Sequence, residues 1–209
     1  NYVMQEQTIR TYDYALYWSF VVDGIRTAFH SVGNFITQLR DALSNDYTNI
    51  PVVLLIPFTS LLGPDFLGYI VSVFVVYYLP ACFFLTVFTL RLARLSGNKS
   101  ASLFAFFLAF VVFALSPNML NPFLHGYLDV IGVLIMALLL NATLTWDGAS
   151  FSVKRNLILA VLAVLIVLSR RWYAYFIVAY FLSFGFSLLV EMISVRKIYI
   201  KKVFMLGLN

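Results

Sequence analysis

The sequence predicts an all-α fold, specifically a polytopic helical membrane protein with interfacial amphipathic helices preceding about five transmembrane helices. Of the 209 residues, 62% are hydrophobic and only 11% are charged, whereas soluble domains average about 25% charged residues. The apolar residues form continuous runs, unlike the short apolar–polar alternation of membrane β-barrels. This composition excludes a soluble enzyme and a disordered tail, and the single cysteine, Cys82, excludes a disulfide framework.

The basic residues are placed as they are in membrane proteins. The net charge is +5, but the basic residues occur in short clusters between apolar runs, which favours membrane lipids as partners and not nucleic acid. The chain begins at Asn1 without a methionine and ends at Asn209 inside a new apolar run. We therefore expect it to be the middle of a longer protein, truncated at both ends.

Residues 1–65 are predicted to form an extracytoplasmic loop with amphipathic helices in the membrane interface. Apolar residues recur there at helical spacing, and a second short helix is expected near Asn34. Residues 50–63 are apolar but too short to span a bilayer, and Pro51 and Pro57 interrupt them, which favours a re-entrant or interfacial segment. The stripe of the first helix consists of Tyr14, Tyr17, Trp18, Val21, Val22, Ile25 and Phe29.

Residues 66–209 are predicted to form a transmembrane bundle, and Pro80 should kink its first helix because proline removes a helical hydrogen bond. If the spans alternate, nine of the fourteen basic residues fall on one side, which the positive-inside rule makes cytoplasmic. The opposite face then holds residues 1–65, the 117–125 loop and the turn at 169–172. The predicted spans are roughly 66–93, 101–117, 122–144, 156–169 and 172–192.

Two acids of the first segment are candidates for chemistry. Asp13 lies in Thr-Tyr-Asp-Tyr-Ala-Leu-Tyr-Trp, where flanking aromatics at a membrane surface would raise its proton affinity, as a general base requires. The alternative is a solvated acid on the polar side of the helix. Asp23 has the same two interpretations, and Arg26 at i+3 is a simple ion-pair partner. Tyr17 belongs either to a sugar-stacking surface or to the interfacial aromatic belt.

Asp129 is predicted about two turns inside a span, where ionisable residues usually face a cavity or a partner. His125 lies at i−4 and would share its helical face. The functional and structural interpretations of Asp129 are about equally supported. Asp129 and His125 alone do not define a metal site, because Asp13 or Asp23 would also have to converge there.

Arg170 and Arg171 lie in the predicted outer turn, where cations are not favoured. A guanidinium group matches phosphate oxygens in geometry, so an anionic ligand is one explanation. The alternatives are a salt bridge to Asp65 or Asp129, or an error in the topology.

Together these residues resemble the GT-C superfamily, polytopic glycosyltransferases that use polyprenyl-phosphate-linked sugars and include the aminoarabinose and protein O-mannosyl transferases. Tyr12-Asp13-Tyr14 and its neighbours resemble the acidic motif of that family's first loop, and 122–129 resembles its second outer loop. The segment 170–175 also resembles bacterial members. The family motif often carries two near-adjacent acids, whereas tyrosines flank Asp13, which leaves open a need for Mg²⁺ or Mn²⁺.

The resemblance implies transfer of a sugar from a polyprenyl-phosphate donor to a hydroxyl of a glycan, lipid or protein acceptor. It implies an inverting reaction at the outer face of a bacterial cytoplasmic membrane, with Asp13 as base and Arg170 and Arg171 on the phosphate. Asp129, with His125, would position the acceptor or a cation, and Asp23 and Tyr17 would bind substrate. Two alternatives remain: a transporter or lipid-linked-sugar flippase with Asp129 and the arginines along its path, and a non-catalytic scaffold.

Overall fold

The computed structural model describes residues 13–42, 50–95, 103–144, 153–183, 185–186, 189–190 and 193. All regular structure within these residues is helical, which confirms the all-α prediction for the described part of the chain. The chain divides into two compact units, residues 1–171 and residues 172–209. In the second unit, residues 174–183 are helical.

The amphipathic first segment folds as two consecutive helices, α1 (Asp13–His30) and α2 (Val32–Ala42). Tyr17 and Val21 on α1 are buried, and Asp23 lies exposed on the other side of the helix. The periodicity therefore predicted the buried face of α1, because residues four apart lie above one another on a helix.

The apolar segment that follows forms two short helices, α3 (Ile50–Val53) and α4 (Leu55–Leu62). It runs antiparallel to the beginning of the next helix. The Tyr77 hydroxyl donates to the carbonyl of Pro51, and Thr59 donates to Ser72 at 2.9 Å. Tyr77 lies eleven residues after Phe66, so Pro51 is about 16 Å along that helix at 1.5 Å per residue.

The longest helix extends from Phe66 to Leu95 and is the one described helix long and apolar enough to cross a membrane. It comprises α5 (Phe66–Val73), a π-helical segment (Phe74–Tyr78) and α6 (Leu79–Leu95). Pro80 lies just after this π-helical segment, at whose end the Leu79 N–H donates to the Phe74 carbonyl. The chain continues past Pro80 as one helix, and the kink at Pro80 stays a prediction.

The described residues of the first unit form four more helices: α7 (Leu103–Leu115), α8 (Pro117–Leu124), α9 (Asp129–Leu144) and α10 (Val153–Ser169). A 3₁₀ turn, Arg171–Tyr173, follows. Helices α7 and α8 meet at 50° and could form one broken span, whereas α9 and the apolar part of α10 are shorter than a full span.

Helix α9 lies parallel to the long helix and packs against α6 and α10. The hydroxyl of Tyr69 donates to the Gly126 carbonyl at 2.7 Å, and the amide of Asn141 donates to the Phe84 carbonyl at 2.8 Å. These two contacts mark opposite ends of the bundle. We call the end that contains Phe66, Gly126 and Asp129 the 129 end, and the other the 141 end.

Candidate functional site

The predicted site residues Asp129 and Arg170 meet at the 129 end of the bundle. Arg170 Nη1 donates to Asp129 Oδ1 at 2.6 Å, and the side chains remain 22% and 34% exposed, respectively. Asp129 is the first residue of α9, and Arg170 directly follows α10. A carboxylate at a helix N-terminus and a cation at a C-terminus are each favoured by the helix dipole. Of the interpretations offered for Arg170, the structure shows the salt bridge to Asp129, and this ion pair remains accessible to solvent.

The position of Asp129 differs from the prediction. It does not lie two turns inside a helix, and His125 does not share its helical face. Helix α8 ends at Leu124, and Gly126 adopts a φ of +82°, in the left-handed region, before α9 begins. A positive φ does not fit a right-handed helix, so the helix breaks at this residue. Glycine adopts this conformation readily, whereas residues with a Cβ atom rarely do. The His125 ring Nδ1 lies 2.7 Å from the Asn121 carbonyl oxygen, on the preceding turn.

Gly126 is held in place by the first turns of the long helix. A Cβ atom at Gly126 would lie 3.1 Å from Tyr69 Cε1, 3.3 Å from Ile70 Cδ1 and 3.4 Å from Phe66 Cε2. Together with the Tyr69 hydrogen bond, this close packing fixes the turn that leads into Asp129. Sequence reasoning missed this role of Tyr69 and Gly126. The available signal was a glycine within an apolar helical pattern, which often marks a break or a close approach.

The remaining basic and acidic candidates at this end have separate roles. Arg171 lies exposed in the 3₁₀ turn. Asp65, the other partner considered for Arg170, is the N-cap of α5, and its carboxylate accepts a hydrogen bond from the Gly68 N–H at 2.7 Å. An aspartate directly before an apolar helix is a common N-cap.

The candidates on α1 are only partly defined. Asp13 begins α1, and its side chain lies outside the described set. Asp23 Oδ1 is 3.9 Å from Arg26 Nη1, so the simple i,i+3 pair is present but long. Tyr17 is only 1% exposed and contacts Phe20 edge to face. Its ring therefore belongs to the core, and the proposed role in sugar stacking has no exposed ring face to act through.

No group of three or more His, Cys, Asp or Glu side chains suited to a metal ion occurs among the residues the structure describes. Neither a protein-family model, nor a curated protein, nor a solved structure matches the chain.

Proposed function

We propose that the chain is a polytopic membrane protein whose 129 end faces the outside of a bacterial cytoplasmic membrane. The long helix Phe66–Leu95 supports a first span. Large apolar side chains on two other helices are exposed, and lipid would cover them, since a surface this apolar is rare in water. They are Leu103, Phe104, Phe107, Leu108, Val111, Val112 and Leu115 on α7, and Val153, Leu157, Ile158, Val161 and Val164 on α10.

The arrangement of α3 and α4 supports a re-entrant role for residues 50–62. Their hydrogen bonds to the long helix are made with Ser72 and Tyr77, and Tyr77 lies about 16 Å along the axis from Phe66. A Cβ on Gly68 would lie 2.1 Å from the Gly63 carbonyl oxygen, so the segment turns tightly against α5. Thr59 and Ser72 are both buried and bonded to each other, as polar groups in a membrane interior must be.

For activity we propose a membrane glycosyltransferase that takes a sugar from a polyprenyl-phosphate donor. The observation that carries this proposal is the partly exposed Asp129–Arg170 pair at the 129 end. A guanidinium group has five N–H donors in one plane, so it can contact a carboxylate on one side and phosphate oxygens on another. Asp129 would thus orient Arg170 for the donor phosphate, with Arg171 in the next turn as a second cation.

In the proposed reaction, an acceptor hydroxyl oxygen attacks the anomeric carbon of the donor sugar as the bond from that carbon to the phosphate oxygen breaks. The hydroxyl proton passes to the carboxylate of Asp13. The leaving polyprenyl phosphate keeps the electron pair of the broken bond, and Arg170 stabilises its negative charge. Attack opposite to the leaving group inverts the configuration.

A transporter or lipid-linked-sugar flippase is the second candidate. The same observation favours it, because paired charges at the end of apolar helices also line substrate paths. In that function Asp129, Arg170 and Arg171 would bind cargo transiently, without any bond being broken.

Purified full-length protein in detergent separates these functions, because detergent abolishes transport but not transfer. With a polyprenyl-phosphate sugar and candidate acceptors, we expect release of free polyprenyl phosphate. Asp13→Asn should abolish that release while expression stays unchanged. The matched change Asp41→Asn on α2 should leave the release unchanged. A fully active Asp13→Asn protein would remove Asp13 as the base, and no release by the parent protein would contradict the transferase.

A further inference from the structure

An open hollow of about 430 Å³ lies between α1 and the turn that precedes α5. Trp18, Ser19, Val22, Asp23 and Arg26 line it from α1, and Pro64 closes it from the turn. The reaction proposed above makes no use of Trp18 or Arg26. The proposed reaction therefore does not account for this hollow.

One wall of the hollow is a fixed aromatic ring. The Trp18 indole N–H donates to the Pro64 carbonyl at 3.1 Å, and its ring meets the ring of Phe66 edge to face at 5.8 Å. Phe66 is the first residue of the longest apolar helix. Tryptophan at the end of a membrane span usually lies at the level of the lipid headgroups. The Trp18 side of the hollow is thus at headgroup depth if the long helix spans the membrane.

The other side of the hollow carries one acid and one base on adjacent turns of α1. The Asp23–Arg26 separation of 3.9 Å is longer than a hydrogen bond, and the side chains are 54% and 74% exposed, respectively. Such a pair adds little to stability. Both charges are therefore available to a ligand that carries a positive and a negative group a short distance apart.

We propose that this hollow binds the headgroup of a phosphoethanolamine phospholipid. The phosphate would contact the Arg26 guanidinium and the ammonium would donate to the Asp23 carboxylate, while the glycerol and first acyl carbons lie against Trp18 and Val22. This inference rests on the proposed membrane setting but not on the transferase activity.

The charges of the hollow also define which headgroups fit less well. A phosphatidylglycerol headgroup offers no cation to Asp23, whose carboxylate would repel its phosphate. A phosphatidylcholine headgroup has a cation, but its trimethylammonium group has no N–H to donate to a carboxylate. The order of preference expected from the chemistry is therefore phosphatidylethanolamine first, with the other two headgroups below it.

Native mass spectrometry of the delipidated full-length protein, offered equal amounts of dioleoyl phosphatidylethanolamine, phosphatidylcholine and phosphatidylglycerol, tests this order. The parent protein should retain phosphatidylethanolamine in excess. Asp23→Asn should lower only the retention of phosphatidylethanolamine, and Arg26→Gln should lower the retention of all three lipids. Each loss should be about two- to fivefold, the size of one exposed charged contact.

The control variant Arg40→Gln removes an exposed arginine on α2, and it should leave retention unchanged. Equal retention of the three lipids by the parent, or an unchanged preference in Asp23→Asn, would overturn the proposal. Displacement by soluble phosphoethanolamine at matched concentration would overturn the lipid as the source of the headgroup. Lipid selectivity without sugar transfer would support headgroup binding and contradict the transferase. A protein that is soluble without detergent would overturn both proposals.

Discussion

The turn at Gly126 links the core of the bundle to the candidate site, so replacing this residue tests the fold and the site together. Gly126→Ala adds a single methyl group. It does so where φ is +82° and where three side chains of α5 lie 3.1–3.4 Å from the new carbon. The positive φ and the close contacts are each unfavourable for alanine.

The expected cost is the sum of two contributions. A left-handed backbone costs a residue with a Cβ atom about 1–2 kcal/mol, and overpacking by one methyl group costs about 1–3 kcal/mol. We therefore expect a loss of roughly 2–5 kcal/mol in the free energy of unfolding. For a chain of this size, this corresponds to a decrease of about 4–20 °C in Tm.

The single cysteine provides the assay. Cys82 is fully buried in α6, so a thiol-reactive dye becomes fluorescent only when the bundle opens. Heating the purified protein with this dye measures Tm for the parent and the variant under the same conditions. No additional label is required, because the chain contains no other cysteine.

Gly33→Ala is the matched control. Gly33 lies inside α2 at ordinary φ, and the nearest atom to a new Cβ is Ser31 Oγ at 3.8 Å. Alanine is favoured over glycine in a helix by about 1 kcal/mol, so Tm should stay the same or increase. A Gly126→Ala variant that melts within 2 °C of the parent, or a Gly33→Ala variant that loses as much stability, would refute the reasoning.

Two further predictions use the same melting assay. A double-mutant cycle with Asp129→Asn and Arg170→Gln should give a coupling of about 1–2 kcal/mol, between the values for exposed and buried ion pairs; strictly additive effects would show that the pair contributes nothing. Asn141→Ala should cost about 1–2 kcal/mol because it removes the hydrogen bond to the Phe84 carbonyl that joins α9 to α6. Thr89→Ala, which removes only a bond within the exposed face of α6, should cost less, and an equal loss would contradict the role assigned to Asn141.

Local pattern was sufficient to predict the amphipathic face of α1. Tyr17 and Val21 are buried and Asp23 is exposed, because helical periodicity alone decides which residues share a face. The effect of Pro80 was only half predictable. The sequence indicates where a hydrogen bond is lost. It does not indicate the π-helical segment before Pro80, in which Tyr77 and Tyr78 are buried in the core.

The candidate site depended on contacts that no local pattern contains. Asp129 and Arg170 are 41 positions apart, and Asp65 was an equal alternative as the partner of Arg170. The packing of α9 against α10 decides between them. The sequence pattern of Asp65, an aspartate directly before an apolar run, is that of an N-cap. Assigning Asp65 to that role leaves Asp129 as the ion-pair partner of Arg170.

Asn141 shows how three-dimensional context changes the meaning of a motif. Asn141-Ala-Thr matches a glycosylation sequon, but its asparagine is only 6% exposed, and its amide bonds to Phe84 and Ala137. A glycan cannot attach to a side chain enclosed between two helices. Its Nδ2 makes both bonds, so the position is a polar link inside the bundle, whereas its Oδ1 has no partner among the described residues.

The antiparallel contact between residues 50–62 and the long helix has a consequence for biosynthesis. A ribosome releases Pro51 and Thr59 before their partners Tyr77 and Ser72, and each of the two short helices is too brief to be stable alone. The later segment must therefore form first and act as the template onto which the earlier one folds back. Shortening the helix at its Phe66 end would be expected to trap the nascent chain with residues 50–62 undocked, as a substrate for quality-control proteases.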